Sequence, residues 1–531
     1  MTDAYKQPCD EGVIHSGKSA PCEPNVKPWV LAATILGSSM VFINASTVNV
    51  ALPALQSALG ASVVDVQWVV NAYTLFLAAL ILTGGSLGDR LGRKRVFLVG
   101  VVVFTAASVW CGLAPNVVQL ITARAVQGVG GALLTPGSLA IISATFPAGE
   151  RGGAIGLWSG ASALTSALGP LLGGFLIDTV SWRWIFFINV PLAVAVLVIT
   201  LWRVPESKDE ETTGGLDFWG AALATLGLAG VTYGLLESSN RGFGDGLVLT
   251  AFGLGVAALV GFVLVEKRLS SPMVPLTLFS SRTFSGANLL TLFLYTAFGG
   301  ALFFLPFNLI QVQGYSATAA GAAFLPTILL LSLLSRFSGG LVARVGAKLP
   351  LVVGPLVVAM GLLLLMLPGV GGSYWTTFFP GLVVLGLGMA ISVAPLTTAV
   401  MSAVADHYAG TASGINNAVS RVAGLLAVAL LGIVMVLVFN SSLDTRLEPL
   451  NLTPQVQATL AAERGNLAGM RVPEGVTPEL KTQLEAAIDQ SFVAGFRIIM
   501  LVTAALAVAG ALTSWLMIDG KTEDEEAQRG V

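Results

Sequence analysis

Long apolar stretches separated by short polar turns run through almost the whole chain. Fourteen of them reach the ~20 residues that cross ~30 Å of hydrocarbon. They lie near 29–52, 66–86, 96–114, 117–145, 152–177, 183–202, 218–237, 246–265, 285–309, 317–341, 349–368, 375–404, 410–439 and 493–517. The pattern predicts an all-α polytopic membrane protein with 14 transmembrane helices. An even number of crossings puts both termini on one side.

Lys and Arg collect on the cytoplasmic side of membrane helices. One set of alternate loops holds Arg90, Arg93, Lys94, Arg95, Arg151, Arg203, Lys208, Lys267, Arg268, Arg282, Arg344 and Lys348, against only Arg183 and Arg241 in the opposite short loops. Both termini are therefore expected in the cytoplasm, with the protein in the inner or plasma membrane. The segment 1–27 lacks an apolar core, so no cleaved signal peptide is expected and the first helix targets the chain.

Composition narrows the classes of function. Of 531 residues 55% are apolar and 11% charged, the net charge is −2, and the mean hydropathy is +0.82. Soluble domains carry about a quarter charged residues, so a soluble enzyme is excluded, and no basic field exists for nucleic acid. Cys9, Cys22 and Cys111 cannot build a disulfide framework. Cys9, His15 and Cys22 in the polar amino-terminal tail read as flexible chain rather than a metal site, and no cofactor is expected.

A duplication emerges from the spacing. GSLGDRLG (Gly85–Gly92) returns as GGLVARVG (Gly339–Gly346), and GVGGALLTP (Gly128–Pro136) as GLGMAISVAP (Gly386–Pro395), at nearly one offset. Two parallel six-helix bundles, 28–203 and 276–517, fit a transporter that rocks about a midplane site. Residues 204–275 then insert two further helices, with cytoplasmic tails at 1–27 and 518–531. Residues 440–492 form one long external loop. In it LTPQVQATLAAERG and TPELKTQLEAAIDQ each read as a short capped helix, Thr preceding Pro. A solvated cap is the expectation, a ligand-gating lid the alternative.

Several motifs resemble the major facilitator superfamily, and within it the fourteen-helix drug:proton antiporter branch. GSLGDRLGRKR (Gly85–Arg95) resembles the signature between helices 2 and 3. Gly85 and Gly92 permit a tight turn, and Asp89 with Arg90 and Arg93 is suited to a conformational latch. LITARAVQGVGGA (Leu120–Ala132) resembles the helix-4 motif, placing Arg124, Gln127 and Gly131 on one helical stripe. GASALTSALGPLLGG (Gly160–Gly174) resembles the antiporter motif of helix 5, with Gly160, Gly169, Pro170, Gly173 and Gly174 giving a kinked, close-packed seam. WRWIFFINVP, LDFWGAAL, VQGYSATAAG and APLTTAV resemble branch-specific segments. The resemblance implies alternating-access efflux of a small molecule, proton antiport, and a monomer.

FINASTVNVALP (Phe42–Pro53) departs from the branch: Asn44 stands where an Asp is usual, nine residues before the Pro. No Asp or Glu falls at mid-membrane, whereas Arg124 and Arg421 do. Asn44 cannot titrate, so if protons drive transport the carrier is expected among Asp89, Asp178 and Glu237. A cavity of positive character suits neutral or anionic cargo. Its expected polar lining is Asn44, Thr47, Asn49, Arg124 and Gln127 in the first half, and Asn308, Gln311, Asn416, Asn417 and Arg421 in the second. Tyr73, Phe293, Tyr295 and Phe304 are the aromatics suited to stack on flat cargo. With no nucleotide loop, HExxH or GxSxG in a supporting context, the energy source is a gradient. Two rivals are a dedicated exporter of one neutral or acidic natural product, and a transport-silent sensor or scaffold.

Overall fold

The computed structural model describes residues 26–207, 217–269, 272–404, 408–450 and 452–518. The tail residues Cys9, His15, Cys22 and the linker residue Lys208 lie outside them. Fourteen helices are long and apolar enough to cross a membrane, and no strand occurs among the described residues. The first half holds α1 (Lys27–Leu59), α2 (Val63–Leu91), α3 (Arg93–Leu113), α4 (Val117–Thr145), α5 (Ala148–Thr179) and α6 (Asn189–Arg203, after the turn Trp184–Phe187). Next come α7 (Phe218–Arg241) and α8 (Gly246–Glu266). The second half holds α9 (Arg282–Phe307), α10 (Leu325–Val345, after the short helix Ala317–Ala323), α11 (Lys348–Met366), α12 (Phe379–Ser402, after Tyr374–Thr377), α13 (Ala409–Leu447) and α14 (Pro478–Met517).

Hydrophobic pattern located the helices but not their local breaks. Three expected continuous stretches are interrupted, at Ile188, Phe324 and Phe378. Each break is followed within three residues by a proline, Pro191, Pro326 or Pro380. A proline has no N–H to bond back into the previous turn, but is well accommodated where a helix begins.

Internal symmetry is visible in the packing. α1 lies on α5 and α6, and α4 on α2 and α3; in the same way α9 lies on α13 and α14, and α12 on α10 and α11. Gly92 and Gly346, matched in the sequence repeat, both take positive φ, 107° and 72°, at the corresponding α2–α3 and α10–α11 turns. Glycine alone adopts such angles without strain. α7 packs on α8, on α2 and on α13, bridging the halves, whereas α8 packs on α7 and fully buries only Val248, Gly255 and Glu266.

The 440–492 segment differs from a solvated cap. α13 runs on to Leu447, and the second expected short helix is instead the start of the 40-residue α14. The remaining stretch keeps one capped helix, Pro454–Glu463. Its Leu452, Leu460, Leu467 and Met470 sink into the core shared by both halves, where the stretch lies against α1, α2, α13 and α14.

Candidate functional site

The halves meet differently at their two ends. At the end bearing the α5 C-terminus, here the Asp178 face, Val48, Leu52 and Leu55 of α1 and Phe303, Phe304 and Phe307 of α9 join one continuous apolar core. Polar links cross the same seam. Asp178 accepts hydrogen bonds from the Ala317 N–H (3.2 Å), the Thr318 N–H (2.8 Å) and the Thr318 hydroxyl (2.6 Å). Gln311 Nε2 donates to Gln56 Oε1 at 2.9 Å, and Gln56 Nε2 to the Asn466 carbonyl at 3.1 Å.

Glycines let the backbones approach here. A Cβ on Gly174 would sit 2.3 Å from the Ala317 carbonyl oxygen, and one on Gly321 would sit 2.1 Å from that of Pro170. Gly169 and Gly173 press on Ser46 and Thr47 of α1. Gly160, by contrast, has nothing within 4 Å of its Cβ position. The helix-5 pattern therefore works as a seam only in its second half.

Towards the opposite end, the Gly92 face, the halves part around a cavity of about 2210 Å³. Phe42, Asn49, Trp158 and Pro170 line it from the first half, and Tyr295, Phe298, Phe324, Asn417 and Arg421 from the second. Around the mouth stand Gly85, Asp89, Arg90 and Arg93, with Asp217, Glu266 and Lys267 from the inserted pair. Asp89 Oδ1 accepts from Arg93 Nε at 2.9 Å. The turn is tied to the end of α6: the Arg93 N–H donates to the Ser207 carbonyl (2.8 Å), and the Lys94 N–H to Glu206 Oε1 (2.9 Å). A side chain at Gly92 would run into the same Glu206 carboxylate, 2.7 Å away.

Of the polar residues expected to line the cavity, the structure places Asn49, Asn417 and Arg421 there; Arg421 Nε has no hydrogen-bond partner. Arg124 is 1% exposed and sits inside the first bundle. Its Nε donates to the Val69 carbonyl (3.0 Å), its Nη1 to Gln127 Oε1 (2.6 Å), and its guanidinium lies 4.2 Å from the Tyr73 ring centre. Gln127 in turn donates to Ser108 (2.7 Å) and to Asn44 Oδ1 (3.3 Å). A buried cation needs such partners, so these residues cement α1, α2, α3 and α4 rather than face solvent.

Thr47 donates to the Gly169 carbonyl at 3.0 Å, between α1 and α5. Asn416 joins Asn288 and Thr291 of α9 at 3.1 and 2.6 Å. Asn308 accepts from Gln313 (3.1 Å), and Gln311 belongs to the seal. Among the aromatics Tyr295 lines the cavity, whereas Phe304 is core and Tyr73 lies under Arg124. Sequence reasoning passed over Trp158, Phe298, Phe324 and Glu266; apolar residues in an apolar helix carry no signal of which face meets the cavity.

The family is decided by the match of residues 34–428 to the Major Facilitator Superfamily profile. The chain belongs to that superfamily. It is 33% identical over 530 residues to the tetracenomycin C resistance and export protein of Streptomyces glaucescens, covering 99% of this chain and 97% of that one. It is 34% identical over 490 residues to the multidrug resistance protein Stp of Mycobacterium tuberculosis (91% of each chain), and 32% identical over 513 residues to a puromycin resistance protein of Streptomyces alboniger (95% and 94%). A bacterial homologue of the human lysosomal transporter Spinster, solved inward-facing and unoccupied, shares the fold at a TM-score of 0.64 and 17% identity, covering 94% of this chain and 99% of that one. The facilitator fold accounts for the paired six-helix halves, with α7 and α8 added between them.

Proposed function

We propose that this facilitator is an efflux transporter of the plasma membrane, exporting small amphipathic molecules by alternating access. Its halves are 28–203 and 276–517, with 204–275 inserted. Its termini and its Gly92 face lie in the cytoplasm, so the open cavity faces inward and cargo enters from the cell interior. The observation that carries the reading is one cavity lined by both halves, open at one end and sealed at the other. The distribution of Lys and Arg supports the orientation. The resistance and export names of its relatives support the direction of transport.

Antiport with protons acting on a monomer completes the reading. Deep in the cavity the one charged group among the described lining residues is Arg421, beside Tyr295 and Phe298. Fixed positive charge disfavours lipophilic cations, and the aromatic walls offer stacking surfaces to flat, neutral or acidic compounds. A dedicated exporter of one natural product is the second reading, favoured by the 33% identity to an export protein named for a single antibiotic. Proteoliposomes under imposed pH and voltage gradients test the proposal, comparing cationic, neutral and acidic compounds. Uptake driven by an acidic lumen, stronger for acidic and neutral cargo, is the expected result. Transport indifferent to both gradients, or a preference for ethidium-like cations, refutes it.

A further inference from the structure

The inserted helices hold the buried acid that the first helix lacks. Asp217 caps α7, its Oδ1 accepting the Gly220 N–H at 2.7 Å. Glu266 ends α8, its Oε2 accepting the Val274 N–H at 3.1 Å. Each carboxylate thus uses one oxygen. Their other oxygens, Asp217 Oδ2 and Glu266 Oε1, are buried without a hydrogen-bond partner. Both converge on Gly220: a Cβ there would lie 2.1 Å from Asp217 Oδ2 and 2.9 Å from Glu266 Oε1. Only the absent side chain of this glycine leaves room for them. Glu266 is 2% exposed, yet the pair borders the mouth of the cavity, so water and protons reach it from that side.

No cation answers this charge among the described residues. α7 packs on α8, α2 and α13. Of the charged groups those elements bring to the cavity, Asp89 and Arg90 come from α2 and Arg421 from α13, with Arg93 at the start of α3. None of them forms an ion pair with Asp217 or Glu266. Lys267 and Arg268, next in the chain, are exposed. Two carboxylates whose inner oxygens are buried together cannot both ionise cheaply, and a single proton between them converts two orphaned acceptors into one donor–acceptor pair.

We propose that Asp217 and Glu266 together bind one proton, shared between Oδ2 and Oε1, which fastens the foot of α7 to the foot of α8. Losing that proton to the cavity leaves two anions in contact and pushes the helix feet apart. Because α7 lies against both α2 and α13, that separation is felt by both halves. Glu266 Oε2 also holds residue 274, on the way into α9. The pair deepens the proton-coupled reading above and rests on it for its connection to transport.

The test is the distance between spin labels at Trp219 and Leu264, both exposed on the two helices, in the full-length protein in lipid nanodiscs from pH 5 to 9. The expected result is a short distance in acid and a longer one in base, with a single transition within that range. Glu266→Gln and Asp217→Asn, measured separately and together with thermal unfolding as a folding check, each keep the short distance at every pH. A wild-type distance that ignores pH, or a midpoint unmoved in both single variants, overturns the proposal. So does a short distance restored in base by millimolar Ca²⁺ or Mg²⁺, which makes the pair a cation site. Transport driven by a pH gradient with an untitrating pair sinks the pair alone. A titrating pair with no proton-driven transport sinks the coupling reading alone.

Discussion

Replacing Asp178 with Ala removes three hydrogen bonds that run from α5 in the first half to the start of the Ala317–Ala323 helix in the second. In a buried setting bonds to a charged group contribute ~1.5–3 kcal/mol each. Asp178 is exposed, and water and salt screen it, so about 1–2 kcal/mol in total is the appropriate scale. Loss of that amount moves the balance between the observed state and one opened at the Asp178 face by roughly 5- to 30-fold. Spin labels at Trp184 and Trp375, exposed residues that follow α5 and precede α12 on this face, report the opening as a growing long-distance population. Thr318→Val, which deletes the hydroxyl donor and spares both N–H donors, should give a smaller change in the same direction. An Asp178→Ala distance distribution identical to the parent's refutes the reasoning.

Other outcomes follow from the same geometry. Gly174→Val forces a side chain against the Ala317 carbonyl, which backbone cannot evade; transport should collapse and the Trp184–Trp375 distance should lengthen. Gly160→Ala, with nothing within 4 Å, should change neither, and a transport defect there would count against the split seam. Arg124→Met takes a charged donor away from the Val69 carbonyl and from Gln127 Oε1, at ~1.5–3 kcal/mol each; thermal unfolding should fall clearly, and an unchanged melting temperature contradicts the structural role. Asn44→Asp puts a carboxylate beside the Gln127 amide, which links it to Arg124, and should alter the pH profile of transport; a superimposable profile counts against this position as a site of coupling.

How far the sequence carries depends on the kind of information asked of it. Spans and turns follow from hydropathy and glycine, because a bilayer demands ~20 apolar residues whatever they touch. The paired turns at Gly92 and Gly346 follow because only glycine takes their backbone angles comfortably. What a buried polar residue faces does not follow. Arg124 and Arg421 both read as intramembrane cations, yet one is enclosed by Tyr73, Gln127 and a carbonyl while the other meets the cavity. Helical periodicity assigns a stripe, and either a neighbouring helix or water can occupy the space in front of it. Glu266 escaped notice for a related reason: at a helix end beside Lys267 it reads as an ordinary interfacial acid, and its burial depends on Asp217, 49 positions earlier in the sequence.

The arrangement of strong and weak contacts explains why motion concentrates between the halves. Inside the first bundle Arg124 and Gln127 are buried and tie α1, α2, α3 and α4 together, and dismantling that network exposes polar groups to a dry interior. Across the Asp178 seam the polar links are an exposed carboxylate, whose bonds water can replace, and two glutamine amides. A transporter must keep its two states within a few kcal/mol, since cargo shifts their balance only by its difference in affinity for them. A seam built like the bundle interior would hold one state too firmly. A seam lacking Asp178 and the tight contacts of Gly174 and Gly321 would leave the cavity open at both ends. The stretch 452–470 fits between these limits, covering the closed face with Leu452, Leu460, Leu467 and Met470 while its Asn466 carbonyl accepts from Gln56 and its Arg464 pairs with Asp444 of α13.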